Sequence, residues 1–213
     1  MPAVNRINKA GISNPDTQAV GVKILFIVVN CLGKNTTLVV VKDTNAQLIQ
    51  KKKMDNYQTV YTSPIGDLIL ESTANGISRV EFLKANEQVE INNHPVFDLC
   101  KSQLDAYFSG ALRHFDLPLA PSGTPFQQLV WQSLVKINYG TTISYKQQAL
   151  QLGDVKQIRA MASANGKNKI AIIIPCHRVI GSNQSLVGYA GGLARKKWLL
   201  EWEQSQLGNK KLF

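Results

Sequence analysis

From Tyr57 onward the chain alternates apolar and polar positions or clusters β-formers in short runs, and Tyr57–Ser63, Asp67–Ser72 and Ile77–Leu83 each predict a strand. Pro64-Ile65-Gly66 and Asn75-Gly76 separate them as turn sequences, so a small antiparallel sheet is expected. The period then changes. Between Pro95 and Phe108, apolar residues at Val96, Cys100, Leu104, Tyr107 and Phe108 recur at three- and four-residue spacing, which predicts a helix ended by Gly110. Cys100 lies on its packing face and reads as core. Thr124-Pro125-Phe126-Gln127 is a capping box with proline at the first helical position. It opens a helix with the stripe Phe126, Val130, Leu134 and Ile137, with Trp131 as core and Gly140 as its end. A second box, Ser144-Tyr145-Lys146-Gln147, opens a short helix stopped by Gly153, and Asp154 caps another from Val155 to about Ala164. The apolar run Ile170–Ile174 reads as a buried strand that Pro175 ends. A last helix runs from Leu193 to about Gln206, facing inward with Leu193, Trp198, Leu199 and Trp202 and pairing Lys197 with Glu201. Glu203, taken alone, reads as solvent-exposed.

Residues 1–53 carry a weaker pattern. The run Ile24–Val29 is too short to span a bilayer and is flanked by Lys23 and Asn30; with Thr37–Val41 it predicts a strand pair or an extension. Leu117–Gly123, with two prolines and a glycine, has linker chemistry. The expected organisation is an extension over 1–53, an α/β domain over 54–120 and a second domain over 121–213.

Charge sharpens that division. The formal net charge is +10, but residues 124–213 hold 12 Lys and Arg against 3 Asp and Glu, whereas residues 60–123 hold 4 against 8. A basic segment beside an acidic one points to a polyanionic partner, nucleic acid first, with a solvated lysine-rich surface as the alternative. Cys31, Cys100 and Cys176 are too few and too scattered for a disulfide framework, which favours the cell interior.

Two places carry candidate chemistry. Pro175-Cys176-His177-Arg178 puts a thiol at the end of a rigid element beside an imidazole that can take its proton. A buried structural cysteine is the rival reading. The two short helices joined at Gly153 have the form of a helix-turn-helix. The second carries Lys156 and Arg159 and is lined by the small residues Ala160, Ala162, Ser163 and Ala164, which let its backbone approach a groove. A loop at Gly181–Gly192, rich in Gly, Ser and Asn, follows the thiol and is placed to close a pocket.

The residues Ile174-Pro175-Cys176-His177-Arg178-Val179, Ser122-Gly123-Thr124-Pro125-Phe126-Gln127 with Val130-Trp131, Ile143-Ser144-Tyr145 and Gly188-Tyr189-Ala190-Gly191-Gly192-Leu193 together resemble the O6-alkylguanine-DNA alkyltransferases. Ser63-Pro64-Ile65-Gly66 and Tyr107-Phe108-Ser109-Gly110 extend the likeness to roughly residues 57–205. The resemblance implies an α+β fold of two domains. The first is a small antiparallel sheet with a helix, ribonuclease H-like. The second is helical and winged-helix-like, with a helix-turn-helix and an active-site strand.

The resemblance also implies direct reversal of DNA damage in the cytoplasm, or in the nucleus of a eukaryote. Cys176 would irreversibly take an alkyl group from O6-alkylguanine, and from O4-alkylthymine, after base flipping, with the protein a monomer on duplex DNA and no cofactor, metal or membrane involved. His177 would relay the thiol proton through a water and Glu203 would hold that histidine. Tyr145 would crowd the rotating phosphate and protonate the leaving guanine, and Asn168 would join the hairpin to the acceptor strand. Arg159 would fill the emptied stack, with Ala160, Ala162 and Ser163 at the groove. Val179, Tyr189, Ala190 and Gly191 would wall the base pocket. Two features depart from the family: Lys169 follows Asn168 where proline is frequent, and Ala190 stands where some members have serine. The rival functions are a Cys-His thiol hydrolase and a lesion sensor without chemistry.

Overall fold

The computed structural model describes residues 23–27, 38–42 and 56–208. The chain divides into two compact units, Met1–Lys53 and Met54–Phe213. In the first, β1 (Lys23–Ile27) pairs antiparallel with β2 (Leu38–Lys42), Lys23 opposite Lys42.

The second unit begins with β3 (Tyr57–Ser63), β4 (Gly66–Thr73) and β5 (Gly76–Phe82), an antiparallel sheet in the order β3-β4-β5. Both predicted turns form. Gly76 adopts φ +129°, and a Cβ there would overlap the Pro118 carbonyl, so only glycine lets the chain pass so close. That passage matters for the architecture. Ile77 N–H donates to Pro118 O (2.8 Å) and Ala120 N–H to Ile77 O (2.7 Å), so the segment expected as a linker lies along β5 in a parallel bridge. Farther along β5, Val80 N–H donates to Lys169 O (2.7 Å) and Ala171 N–H to Val80 O (2.8 Å). The sheet is thereby tied to the segment that leads into Cys176. Helix α1 (Val96–Phe108) covers the sheet with Phe97, Cys100, Leu104 and Tyr107 against Leu68, Leu70, Ile77 and Val80, all buried. Each large apolar side chain so buried contributes about 1.5–3 kcal/mol.

Helix α2 (Pro125–Val135) starts with the expected reciprocal capping box between Thr124 and Gln127. It ends at Val135, short of Gly140. After β6 (Ile143–Ser144), helix α3 (Tyr145–Gln151) carries the second box, between Ser144 and Gln147. The second helix of the hairpin opens as a 3₁₀ turn, Val155–Gln157, before α4 (Ile158–Gly166). A buried amide pair fixes α3 on α4: Asn165 Nδ2 donates to Gln148 Oε1 (2.7 Å) and Gln148 Nε2 back to Asn165 Oδ1 (3.4 Å). Trp131 Nε1 donates to Ala164 O (2.9 Å), locking α2 onto the end of α4. The chain closes with a 3₁₀ turn at Cys176–Arg178, β7 (Val179–Ile180), parallel to β6, and α5 (Leu193–Ser205). No described helix is long and apolar enough to cross a membrane.

The active-site strand expected over Ile170–Ile174 is not a strand. Only Ile170 bridges to the sheet; the next residues turn, with Ile172 at φ +70° and Ile174 N–H donating to Ile170 O (3.0 Å). The run is apolar because the turn is buried on every side, and burial alone does not tell a turn from a strand. Backbone partners meet most of its polar groups, and one side chain adds to them. Asn168 Oδ1 accepts from Ile170 N–H (3.0 Å) and Nδ2 donates to Ile174 O (2.8 Å). A β-branched residue held left-handed costs about 1–2 kcal/mol, which this bonding and the surrounding core offset.

Candidate active site

The turn sets Cys176 at the start of the short 3₁₀ element, 8% exposed, with Asn168 Nδ2 donating to its Sγ at 3.3 Å. Burial raises the thiol pKa, against the lowering effects of Asn168 and the Lys196 charge, so the sulfur rests protonated and needs a base.

The neighbouring imidazole is equipped for that. His177 is wholly buried, its Nε2 lies 2.9 Å from Glu203 Oε1, and its Nδ1 has no protein partner. Burial holds its pKa below the usual value even against the nearby carboxylate, so the ring is neutral at pH 7. An ionised Glu203 only accepts, so the network assigns the proton to Nε2 and leaves Nδ1 as a bare acceptor.

Glu203 is held ionised from several sides. Arg178 donates from Nε to Oε2 (3.0 Å) and from Nη2 to Oε1 (2.9 Å), Gly140 N–H donates to Oε2 (2.9 Å), and the Tyr107 hydroxyl donates to Oε1 (2.9 Å). Burial opposes its ionisation, but His177 and Arg178 overcome that and bring its pKa to about 2. Since His177 is itself neutral, the guanidinium is the standing cation. Arg178 is fixed in turn by Ile137 O (2.6 Å) and by the Tyr139 ring, 5.6 Å away. Glu203 is therefore fully buried, where the exposed reading of its position by itself fails.

A cavity of about 130 Å³ opens beside the sulfur. Helix α4 lines it with Ala162, Asn165 and Gly166, the loop lines it with Gly188, Tyr189 and Ala190, and Tyr145 completes it. Val179 does not reach it; that residue is fully buried and paired with Ile143. Gly191 lines an adjoining cavity of about 170 Å³ that also touches Ala190 and Asn168. Two larger depressions, about 400 and 330 Å³, lie along α2, α3 and β6, and neither is lined by a cysteine. Burial raises the Tyr145 pKa, keeping its hydroxyl protonated, and the group sits 3.5 Å from Val187 O. Arg159, Ala160 and Ser163 form the exposed face of α4 while Ala162 turns toward the cavity, so one helix offers an outward surface and a pocket wall.

Lys196 does more than the sequence suggests. It is wholly buried, and its Nζ donates to Val179 O (2.6 Å), Val187 O (2.8 Å) and Gly188 O (3.3 Å), pinning the pocket loop. Burial pushes its pKa down to about 8, against the pull of Cys176. Lys196, Leu199, Leu200 and Glu203 follow the helical i, i+3, i+4, i+7 spacing. That was the available signal for both charged residues, and their charge hides it. Leu193, expected inward, is 47% exposed. Among the described residues no three His, Cys, Asp or Glu side chains gather as metal ligands; Cys31 lies outside those residues.

Residues 125–205 match the family model described as 6-O-methylguanine DNA methyltransferase, DNA binding domain, and residues 56–121 match the ribonuclease-like domain of the same family. The methylated-DNA–protein-cysteine methyltransferase of Methanosarcina barkeri is 46% identical over 156 residues, covering 71% of this chain and 99% of the relative. That of Haemophilus influenzae is 39% identical over 154 residues, covering 70% and 86%. Among solved structures, the Mycobacterium tuberculosis O6-methylguanine methyltransferase superposes with a TM-score of 0.64 at 41% identity, over 71% of this chain and 94% of that one. A crystal structure of the same organism's OGT in complex with DNA matches at TM-score 0.64 and 42% identity, over 70% and 94%.

Proposed function

Because the chain belongs to the 6-O-methylguanine DNA methyltransferase family, we propose that Cys176 takes the alkyl group of O6-alkylguanine, and of O4-alkylthymine, from duplex DNA, each molecule reacting once. The observation that carries this reading is the line from Glu203 through His177 to the Cys176 turn, ending at a cavity that the second helix of a helix-turn-helix walls. In this reading residues 54–120 are the scaffold domain and residues 121–213 the DNA-binding and acceptor domain. The protein acts as a monomer.

The thiol proton passes through a bridging water to His177 Nδ1, and the Glu203 carboxylate stabilises the imidazolium that forms. The thiolate then displaces guanine: the S–C bond forms as the C–O6 bond breaks, and the departing base takes a proton from the Tyr145 hydroxyl, which regains one from solvent. Asn168, already on Sγ, holds the sulfur in line. The product is a thioether, which nothing in the site hydrolyses. Reaching the base requires flipping it out at a cost of a few kcal/mol, less where alkylation has weakened the pair. Arg159 on the exposed face of α4 fills the vacated stack, and the small residues beside it let the helix enter the minor groove, as architectural minor-groove binders do. Tyr189, Ala190, Gly188 and Gly166 enclose the flipped base, Val179 supports the wall from behind, and Gly191 shapes its outer edge.

The test is incubation with a duplex carrying a single O6-methylguanine, followed by peptide mass mapping. The expected result is a gain of one CH₂ on the Cys176 peptide, stoichiometric with protein, and none in Cys176→Ala, which still binds the alkylated duplex. Multiple turnovers would overturn the assignment in favour of a thiol hydrolase, and an unmodified Cys176 on a bound duplex in favour of a lesion sensor.

A further inference from the structure

We propose that Tyr107, delivered by α1 from the scaffold half, is a positioning residue of the proton relay: its hydroxyl orients Glu203 toward His177 and sets how basic that imidazole is. The inference rests on the relay reading above and adds to it a residue from outside the acceptor half.

The geometry is specific. Donors from three residues converge on Glu203 Oε1: His177 Nε2, Arg178 Nη2 and the Tyr107 hydroxyl, each at 2.9 Å, with Arg178 Nε at 3.3 Å. Two of the three come from adjacent residues of the same 3₁₀ turn, on the acceptor side. Tyr107 supplies the only one of them from another element, 96 residues away in sequence. Without it, nothing on the α1 side holds this oxygen, and the aim of Oε1 at His177 depends on the Arg178 fork and the Gly140 N–H alone. Tyr107 is 0% exposed, and its ring packs against Phe108, Phe115 and Tyr139. A phenylalanine would fill that space equally well and would leave no hydroxyl to desolvate. The hydroxyl is also permanently a donor, because burial and the Glu203 charge hold its pKa well above the ordinary phenol value.

A donor on Oε1 draws negative charge away from the side of the carboxylate that His177 faces. Removing it has two separable effects. The carboxylate is less well aimed, which lowers the rate of proton transfer. Its charge is also less shared, which stabilises the imidazolium and raises the pH below which His177 is already protonated and unable to act as base. The other titratable or charged groups around the pair, Arg178, Tyr139, Lys196, the adjacent Cys176 and Tyr189, whose ring lies edge-on to His177, keep their places when only an oxygen is removed.

The experiment uses the full chain with Tyr107→Phe. Single-turnover methyl transfer is followed across about pH 4 to 8, reaching below the ordinary histidine range because burial lowers the His177 pKa, and the His177 imidazole is titrated by NMR in the absence of DNA. The expected result is a plateau rate about threefold to tenfold lower, with the acid limb and the His177 titration both displaced to higher pH. Incorporating 3-fluorotyrosine at position 107, which keeps the shape and strengthens the donor, shifts both the other way. Rates and titration superimposable on the parent would overturn the proposal. So would a slower reaction with an unmoved His177 titration, since lost packing alone does that. If the parent chain transfers no alkyl group, the relay reading fails, and the DNA-free titration still decides whether Tyr107 governs His177.

Discussion

Replacing Glu203 by Gln keeps the shape of the side chain and removes the one charge on which the site converges. The carboxyl pKa is held well below its ordinary 4.5 in the fold, so the ionised carboxylate contributes stability at neutral pH. The sign is fixed by the direction of the shift. A depressed carboxylate contributes its full share above about pH 4.5 and loses it as the pH falls toward 2. The same loss appears from the partner's side. Arg178, 6% exposed, would be left as a buried cation without a counter-ion, which costs about 3–5 kcal/mol. These are two views of one interaction and do not add. Urea unfolding at pH 7 should show Glu203→Gln about 3–5 kcal/mol less stable than the parent, with a flatter decline between pH 4.5 and 2. The double variant Glu203→Gln/Arg178→Met should recover part of the loss, because it removes the stranded charge. A single variant within about 1 kcal/mol of the parent, with an unchanged acid profile, would show that the buried pair carries no such energy and refute the reasoning.

Three further outcomes follow from the described geometry. Asn168→Ala strips the Ile170 N–H and the Ile174 carbonyl of side-chain partners inside the core, so it should cost about 2–4 kcal/mol in urea unfolding and slow alkylation of Cys176 by iodoacetamide or substrate. Gly76→Ala meets both a forbidden φ and the Pro118 carbonyl, and should lower stability by more than about 2 kcal/mol with a fall in Tm. Arg159→Ala should slow repair in duplex DNA far more than reaction with the free alkylated base; equal losses on both would remove Arg159 from the flipping step.

What could be read from the chain, and what could not, divides along physical lines. The capping boxes at Thr124 and Ser144 and the Asn75-Gly76 hairpin are local devices whose chemistry lies within four residues, and they form where the pattern places them. Cys176 and His177 are legible for the same reason. Helical spacing marks Glu203 as inward-facing, but its role is legible only through family resemblance, because that role depends on donors from residues 107, 140, 177 and 178, which no periodicity connects. Lys196 was missed because the inward face of α5 is bounded by charges, so the apolar stripe that marks a packed helix is short there. The Ile170–Ile174 turn is the converse. Complete burial made it as apolar as a central strand, and the left-handed Ile172 that reverses it leaves no mark in composition.

The spread of the relay along the chain has a consequence for the protein's own biosynthesis. A nascent chain emerges from its N-terminal end, so the sheet and Tyr107 are in place before Cys176 follows. The carboxylate that equips His177, and the ammonium that pins the pocket loop, both wait for α5, with Glu203 arriving 26 residues after the histidine. Until then the sulfur is a thiol without an organised base beside it. Full organisation of the base beside Cys176 therefore waits for α5, nearly the last part of the described chain to be made.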